Sequence, residues 1–126
     1  MTSLITVFNK DKIREHLSEQ VWLNNLNDEQ LNVLSEKSWI ETYALGETLI
    51  VEGQEGDSMF IIVEGKVDVL LKNPEGINVV IADKRSGGFF GEMSLLTGKP
   101  RTASIKAKED TTVVVIEIKF FYFSFL

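Results

Sequence analysis

The chain has 126 residues, enough for one hydrophobic core and too few for two ordinary domains. Its 44% hydrophobic and 25% charged content excludes a disordered or fibrous polymer, while the absence of cysteine excludes a disulfide framework or thiolate zinc site and suits a reducing, cytoplasmic setting. A net charge of −6 argues against sequence-independent binding to nucleic acid or anionic lipid, and no run approaches the ~18 apolar residues that span a bilayer.

Met1 to Lys10 lacks the basic-then-apolar order of a secretory leader. Beyond it, Ile13, Leu17 and Val21 recur four residues apart while Asp11, Glu15 and Glu19 occupy another face, which predicts a helix near 10–20. The lone His16 has neither a second histidine nor a cysteine to share a metal, so no metal site is expected. Asn27 and Gln30 are spaced as a capping pair ahead of Leu31 and Leu34, so a second helix is expected from about Asp28 to Lys37. Trp22, Leu23 and Leu26 then form the apolar hinge between the helices.

After Trp39 the pattern changes to short β-rich runs at 39–44, 48–51, 58–64, 66–71, 77–83, 101–107 and 112–118, with Gly46, Gly53, Gly56, Gly65 and Gly76 at turn positions. Val67, Val69 and Leu71 alternate with Lys66, Asp68 and Leu70, and Ile77, Val79 and Ile81 with Asn78, Val80 and Ala82, which is the spacing of half-buried strands. Many short strands of this kind favour a barrel or sandwich. Residues 1–38 therefore read as an N-terminal helical segment and 39–126 as a β-rich unit, the two forming one structural domain.

The strand pattern breaks at 87–104, Gly-Gly-Phe-Phe-Gly-Glu-Met-Ser-Leu-Leu-Thr-Gly-Lys-Pro-Arg-Thr-Ala-Ser, and this break carries the chemistry. From Lys84 to Lys106 five basic residues stand against Glu92 alone, a local balance of +4 in an acidic chain that suits a small anion. Gly91 lets backbone approach a ligand, and Glu92 to Leu96 can form a short helix whose first N–H groups point at a phosphate. Pro100 sets the entry to the next strand, where Arg101 offers a planar fork of donors to two phosphate oxygens. A phosphate would repel Glu92, but an ionised carboxylate accepts well from a sugar hydroxyl.

This segment resembles the phosphate-binding cassette of the cyclic-nucleotide-binding domain family, in which Phe-Gly-Glu is followed several residues later by Pro-Arg-x-Ala-Ser/Thr. Every one of those positions is filled, and the likeness runs from about Leu23 to Ile118, through Gly46-Glu47, Gly53, Gly56-Asp57, Met59 to Val63 and Glu64-Gly65. The resemblance implies a mainly β fold, an eight-stranded β-roll or jelly-roll barrel with N-terminal helices and a short cassette helix. It implies that Glu92 holds the ribose 2′-hydroxyl, that Arg101 pairs with the cyclic phosphate, and that amides of Gly91, Ser94 and Thr102 complete the cradle, with Met93 and Ala103 beside them. The family covers the purine with a C-terminal lid helix, which is absent before Leu126, so the base is expected to stay partly uncovered.

The implied function is a sensor of cAMP or cGMP that regulates an effector protein or a channel or enzyme domain of a longer parent, with no cofactor and no catalysis of its own. The wording Glu-Met-Ser-Leu-Leu-Thr-Gly is similar to bacterial domains appended to mechanosensitive channels. An enzyme of the jelly-roll class would need clustered metal ligands or an acid–base pair, and neither is apparent. A degenerate scaffold for protein interaction would have lost the cassette, whereas Glu92 and Arg101 are intact. Lys84, Arg85 and Lys99 read as a solvated basic rim, and the aromatic ending Phe120 to Phe125 as a helix start or strand extension packed on the barrel.

Overall fold

The structure, a computed structural model, describes residues 2–117 apart from the side chains of 2–9 and 94–96. The expected end of the last strand at 118 and the aromatic ending lie outside the described residues.

Helix α1 (Thr2–Ser18) begins earlier than the apolar spacing suggested, because residues 2–9 contain no glycine or proline to stop it. Ile13 and Leu17 are buried as expected, but Val21 is 78% exposed. The helix has ended by then and Val21 opens a 3₁₀ turn (Val21–Leu23), which rotates it off the apolar stripe. In α2 (Asp28–Glu36) the capping box is present: the Asn27 side chain accepts from the Gln30 amide at 2.8 Å, and the Gln30 side chain accepts from the Asn27 amide at 2.9 Å. Leu31 and Leu34 then face the core.

The remaining described chain forms β1 (Ser38–Tyr43), β2 (Thr48–Ile50), β3 (Ser58–Glu64), β4 (Lys66–Lys72), β5 (Asn78–Arg85), β6 (Phe89–Phe90), the short helix α3 (Glu92–Thr97), β7 (Ser104–Ala107) and β8 (Thr111–Glu117). The strands make two four-stranded antiparallel sheets, ordered β1-β8-β3-β6 and β2-β7-β4-β5, the two halves of a β-roll. The two-residue β6 is absent from the sequence-based strand list, since so short a run carries no period.

The first sheet is covered on both faces. Met59, Ile61, Val114 and Ile116 pack against Ile13, Leu17, Leu23, Leu31 and Leu34 of the helical segment. Their neighbours Phe60, Ile62, Val113 and Val115 turn the other way, into the roll, to meet Ile50, Val67, Phe90 and Ile105. Two buried faces explain why Met59 to Val63 and Val113 to Ile116 are unbroken apolar runs. The second sheet is less covered on its outer face: Val67 is buried while Asp68 and Lys72 stand on the other side or at its end.

β5 departs from the half-buried alternation expected of it. Ile77, Val79, Val80 and Ile81 are 62%, 44%, 54% and 54% exposed. β5 is an edge strand, and its pairing with β4 slips at a bulge: Val69 faces Ala82 but Leu70 faces Val80, leaving Ile81 without an opposite number. The extra residue reverses the in–out sense of everything beyond it.

Candidate functional site

The bulge decides which side chains enter the roll. Val67 and Val69 point inward, and directly opposite residues share a face, so Lys84 of β5, opposite Val67, points inward with them. Lys84 is thereby placed in the wall of a cleft and not on the solvated rim expected of it; Arg85 and Lys99 are exposed as expected. The cleft is lined by Ile50, Val69, Phe90, Ala103 and Ile105 on its apolar side and by Lys84, Gly91, Glu92, Met93, Arg101 and Thr102 on its polar side. Its cavity volume is about 110 Å³, less than the ~300–1,000 Å³ of typical small-molecule sites, so the cleft is shallow and open to one side.

Arg101 is only 8% exposed. Its Nη1 donates to the Gly91 carbonyl at 3.0 Å and its Nη2 to the Ser58 carbonyl at 2.7 Å, joining the cassette to the start of β3. Its backbone is fixed as well: its amide donates to the Gln54 carbonyl and its carbonyl accepts from the Gly53 amide, both at 2.8 Å. Burial lowers the guanidinium's pKa, and the negative charge of Asp57 offsets part of that. Two glycines make room. A methyl group on Gly56 would stand 2.6 Å from Arg101 Cζ, and one on Gly91, whose φ is +89°, would stand 2.9 Å from the Ser58 carbonyl oxygen. The glycine turns of the β2–β3 loop thus have a specific task, which sequence spacing alone did not reveal.

Glu92 opens α3 and is half-buried in the cleft wall. Among the described residues no ion pair joins it to Arg101, so the two do not neutralise each other. Met93 is 45% exposed, Thr102 is exposed outside any strand, and Ala103 is half-buried. Six of the seven expected ligand residues therefore line one cleft; the seventh, Ser94, lies on α3 with its side chain outside the described set. The residues missed by sequence reading are Lys84, whose orientation depends on the bulge, and the apolar wall, which carries no motif.

The segment leading into the cassette is also tied to the N-terminal helices. Gln20 Nε2 donates to the Gly87 carbonyl at 3.1 Å, and Trp22 Nε1 donates to Gln20 Oε1 at 2.9 Å. The Trp22 ring lies 5.2 Å from that of Phe89, while Phe90 stacks on Phe60 at 5.0 Å on the opposite side of β6.

Residues 40–123 match the family model of the cyclic nucleotide-binding domain. The chain belongs to this family. Cyclic nucleotide-binding domains of this family are regulatory and not catalytic modules. The present domain is 30% identical over 105 residues to a cAMP-dependent protein kinase regulatory subunit of Dictyostelium discoideum, covering 83% of the chain and 32% of that protein. It is 33% identical over 103 residues to a cGMP-dependent protein kinase of Eimeria tenella, covering 82% of the chain and 10% of that protein. The domain thus spans a third or less of these curated relatives, both of them eukaryotic. Its fold superposes with a TM-score of 0.87 on the regulatory domain of Toxoplasma gondii PKA in a co-crystal with cAMP, at 20% identity, covering 94% of this chain and 46% of that one. No helix among the described residues is long and apolar enough to cross a membrane.

Proposed function

We propose that this chain binds a cyclic mononucleotide, cAMP or cGMP, in the cleft beside α3 and acts as a regulatory sensor for an effector within a longer parent or in a partner protein. The observation that carries the reading is the state of Arg101: a buried cation held by two backbone carbonyls and, among the described residues, in no ion pair with a carboxylate, in the same cleft as Glu92. Carbonyl dipoles orient a guanidinium without cancelling its charge, so an anion remains its natural complement.

In this reading Arg101 takes the cyclic phosphate, with amides of Gly91, Ser94 and Thr102 beside it, and Glu92 accepts from the ribose 2′-hydroxyl. Met93 and Ala103 flank the sugar, and the apolar wall of Ile50, Val69 and Ile105 receives the rest of the ligand. The Gln20–Gly87 and Trp22–Phe89 contacts offer a path by which a shift of the cassette entry would reach the helical segment. No cofactor is needed and no bond is made or broken.

Calorimetric titration with cAMP, cGMP and linear AMP tests this. Cyclic nucleotides should bind at least about tenfold more tightly than AMP, whose phosphate is more highly charged and lacks the ring. Equal affinity for cyclic and linear forms would reduce the cleft to a general anion site.

A further inference from the structure

We propose that Lys84 is a second ligand-facing cation of the cleft, donating from its ammonium to an acceptor atom of the bound nucleotide. The proposal rests on the reading of the cleft as a cyclic nucleotide site and adds a residue to it.

The register with β4 turns Lys84 inward, opposite the fully buried Val67, onto a wall whose other β-strand members are Ile50, Val69, Phe90 and Ile105. An aliphatic side chain would fill such a position without bringing a charge into apolar surroundings, so packing does not account for a lysine there. Its Nζ donates to the Phe89 carbonyl at 2.7 Å and lies 5.6 Å from the centre of the Phe89 ring. An ammonium has three donors, and the Phe89 carbonyl takes one. Among the described residues no carboxylate forms an ion pair with it.

Lys84 and Arg101 are therefore in the same condition. Each is a cation of the cleft wall held by carbonyls of one short segment, at Phe89 and at Gly91, two residues apart. Against them stands Glu92, so the three charged groups lining the cleft sum to one positive charge, the complement of a singly charged phosphodiester. The four-carbon stem of Lys84 lets the ammonium swing from the Phe89 carbonyl to a ligand without any shift of the strand. Two parts of a nucleotide offer the acceptor: the phosphate oxygens, or the purine edge, where guanine presents both N7 and O6 but adenine only N7.

Lys84→Met keeps the stem and removes the charge; Lys84→Arg keeps the charge. Affinities for cAMP, cGMP and cyclic CMP are measured by calorimetry at low and high salt, together with the melting temperature of each unliganded variant. Lys84→Met is expected to weaken binding roughly 5- to 30-fold and to flatten its dependence on salt, while Lys84→Arg stays within about threefold of the unaltered chain. An equal loss for all three nucleotides places the ammonium on the phosphate, and a loss that is greatest for cGMP places it on the purine edge. Unchanged affinity in Lys84→Met overturns the proposal. So does a loss of affinity with unchanged salt dependence, which would make Lys84 only a tether for β6. Failure of the unaltered chain to bind any of the three would instead overturn the reading of the cleft itself.

Discussion

Arg101 shows how one side chain can serve both fold and ligand. Its two carbonyl contacts link the cassette to β3, so its removal strips donors from Ser58 and Gly91 as well as a cation from the cleft. Arg101→Ala is therefore expected to lower affinity for a cyclic nucleotide at least about tenfold to a hundredfold and to destabilise the unliganded chain by about 1–3 kcal/mol. Calorimetry and urea denaturation separate the two effects; a loss of stability alone would confine Arg101 to a structural role. Glu92 pairs with no cation among the described residues, so Glu92→Gln should leave stability within ~0.5 kcal/mol while weakening binding by a smaller factor than Arg101→Ala. The amide oxygen of glutamine still accepts from a ribose hydroxyl.

Among the strands, burial separates residues of the same chemical type. Ile62 of β3 is wholly buried between the sheets, whereas Ile81 on the β5 bulge is 54% exposed. Ile62→Ala should cost about 2–5 kcal/mol and Ile81→Ala no more than ~0.5 kcal/mol in urea unfolding, despite identical substitutions. β1 carries a pH-dependent contact. The Tyr43 hydroxyl donates to Glu41 Oε1 at 2.7 Å, and burial followed by that neighbouring carboxylate raises its pKa above the ordinary value. A tyrosine in the unfolded chain ionises near pH ~10. The contribution of Tyr43 is thus complete below that pH and is lost as pH rises toward the folded-state pKa. The stability difference between the unaltered chain and Tyr43→Phe, measured by urea denaturation, should shrink steadily above pH ~10; a constant difference would mean that the hydroxyl is not held by Glu41.

For the molecule as a whole, the helices and the roll share one apolar cluster, in which Leu17 and Leu34 meet Ile61 and Ile116. Ligand stabilisation should therefore appear as one cooperative melting transition. A ligand that binds only the folded state at a hundredfold excess over its dissociation constant adds about 2.7 kcal/mol, which for a chain of this size raises the melting temperature by roughly 10 °C. Calorimetric scans with cAMP or cGMP should show that rise, and linear AMP should produce a much smaller one. Two separate transitions, with only one moving, would show that the helical segment does not unfold with the roll.

Local information sufficed for much of this molecule. The Asn27–Gln30 cap, the edges of most strands and the cassette from Phe90 to Ala103 depend on residues close together in the chain, and all were legible in it. The family followed from the same ordered motif, because glycine, carboxylate and arginine at fixed spacing have few other uses. Tertiary structure decided what depends on a partner strand. The slip between Val69 and Leu70 turned Lys84 into the cleft and left Val80 and Ile81 outside, and no alternation within β5 encodes it, since a bulge is defined by two strands together. Likewise the carbonyls that hold Arg101 come from Ser58 and Gly91, 43 and 10 residues away, brought within reach only when the roll closes.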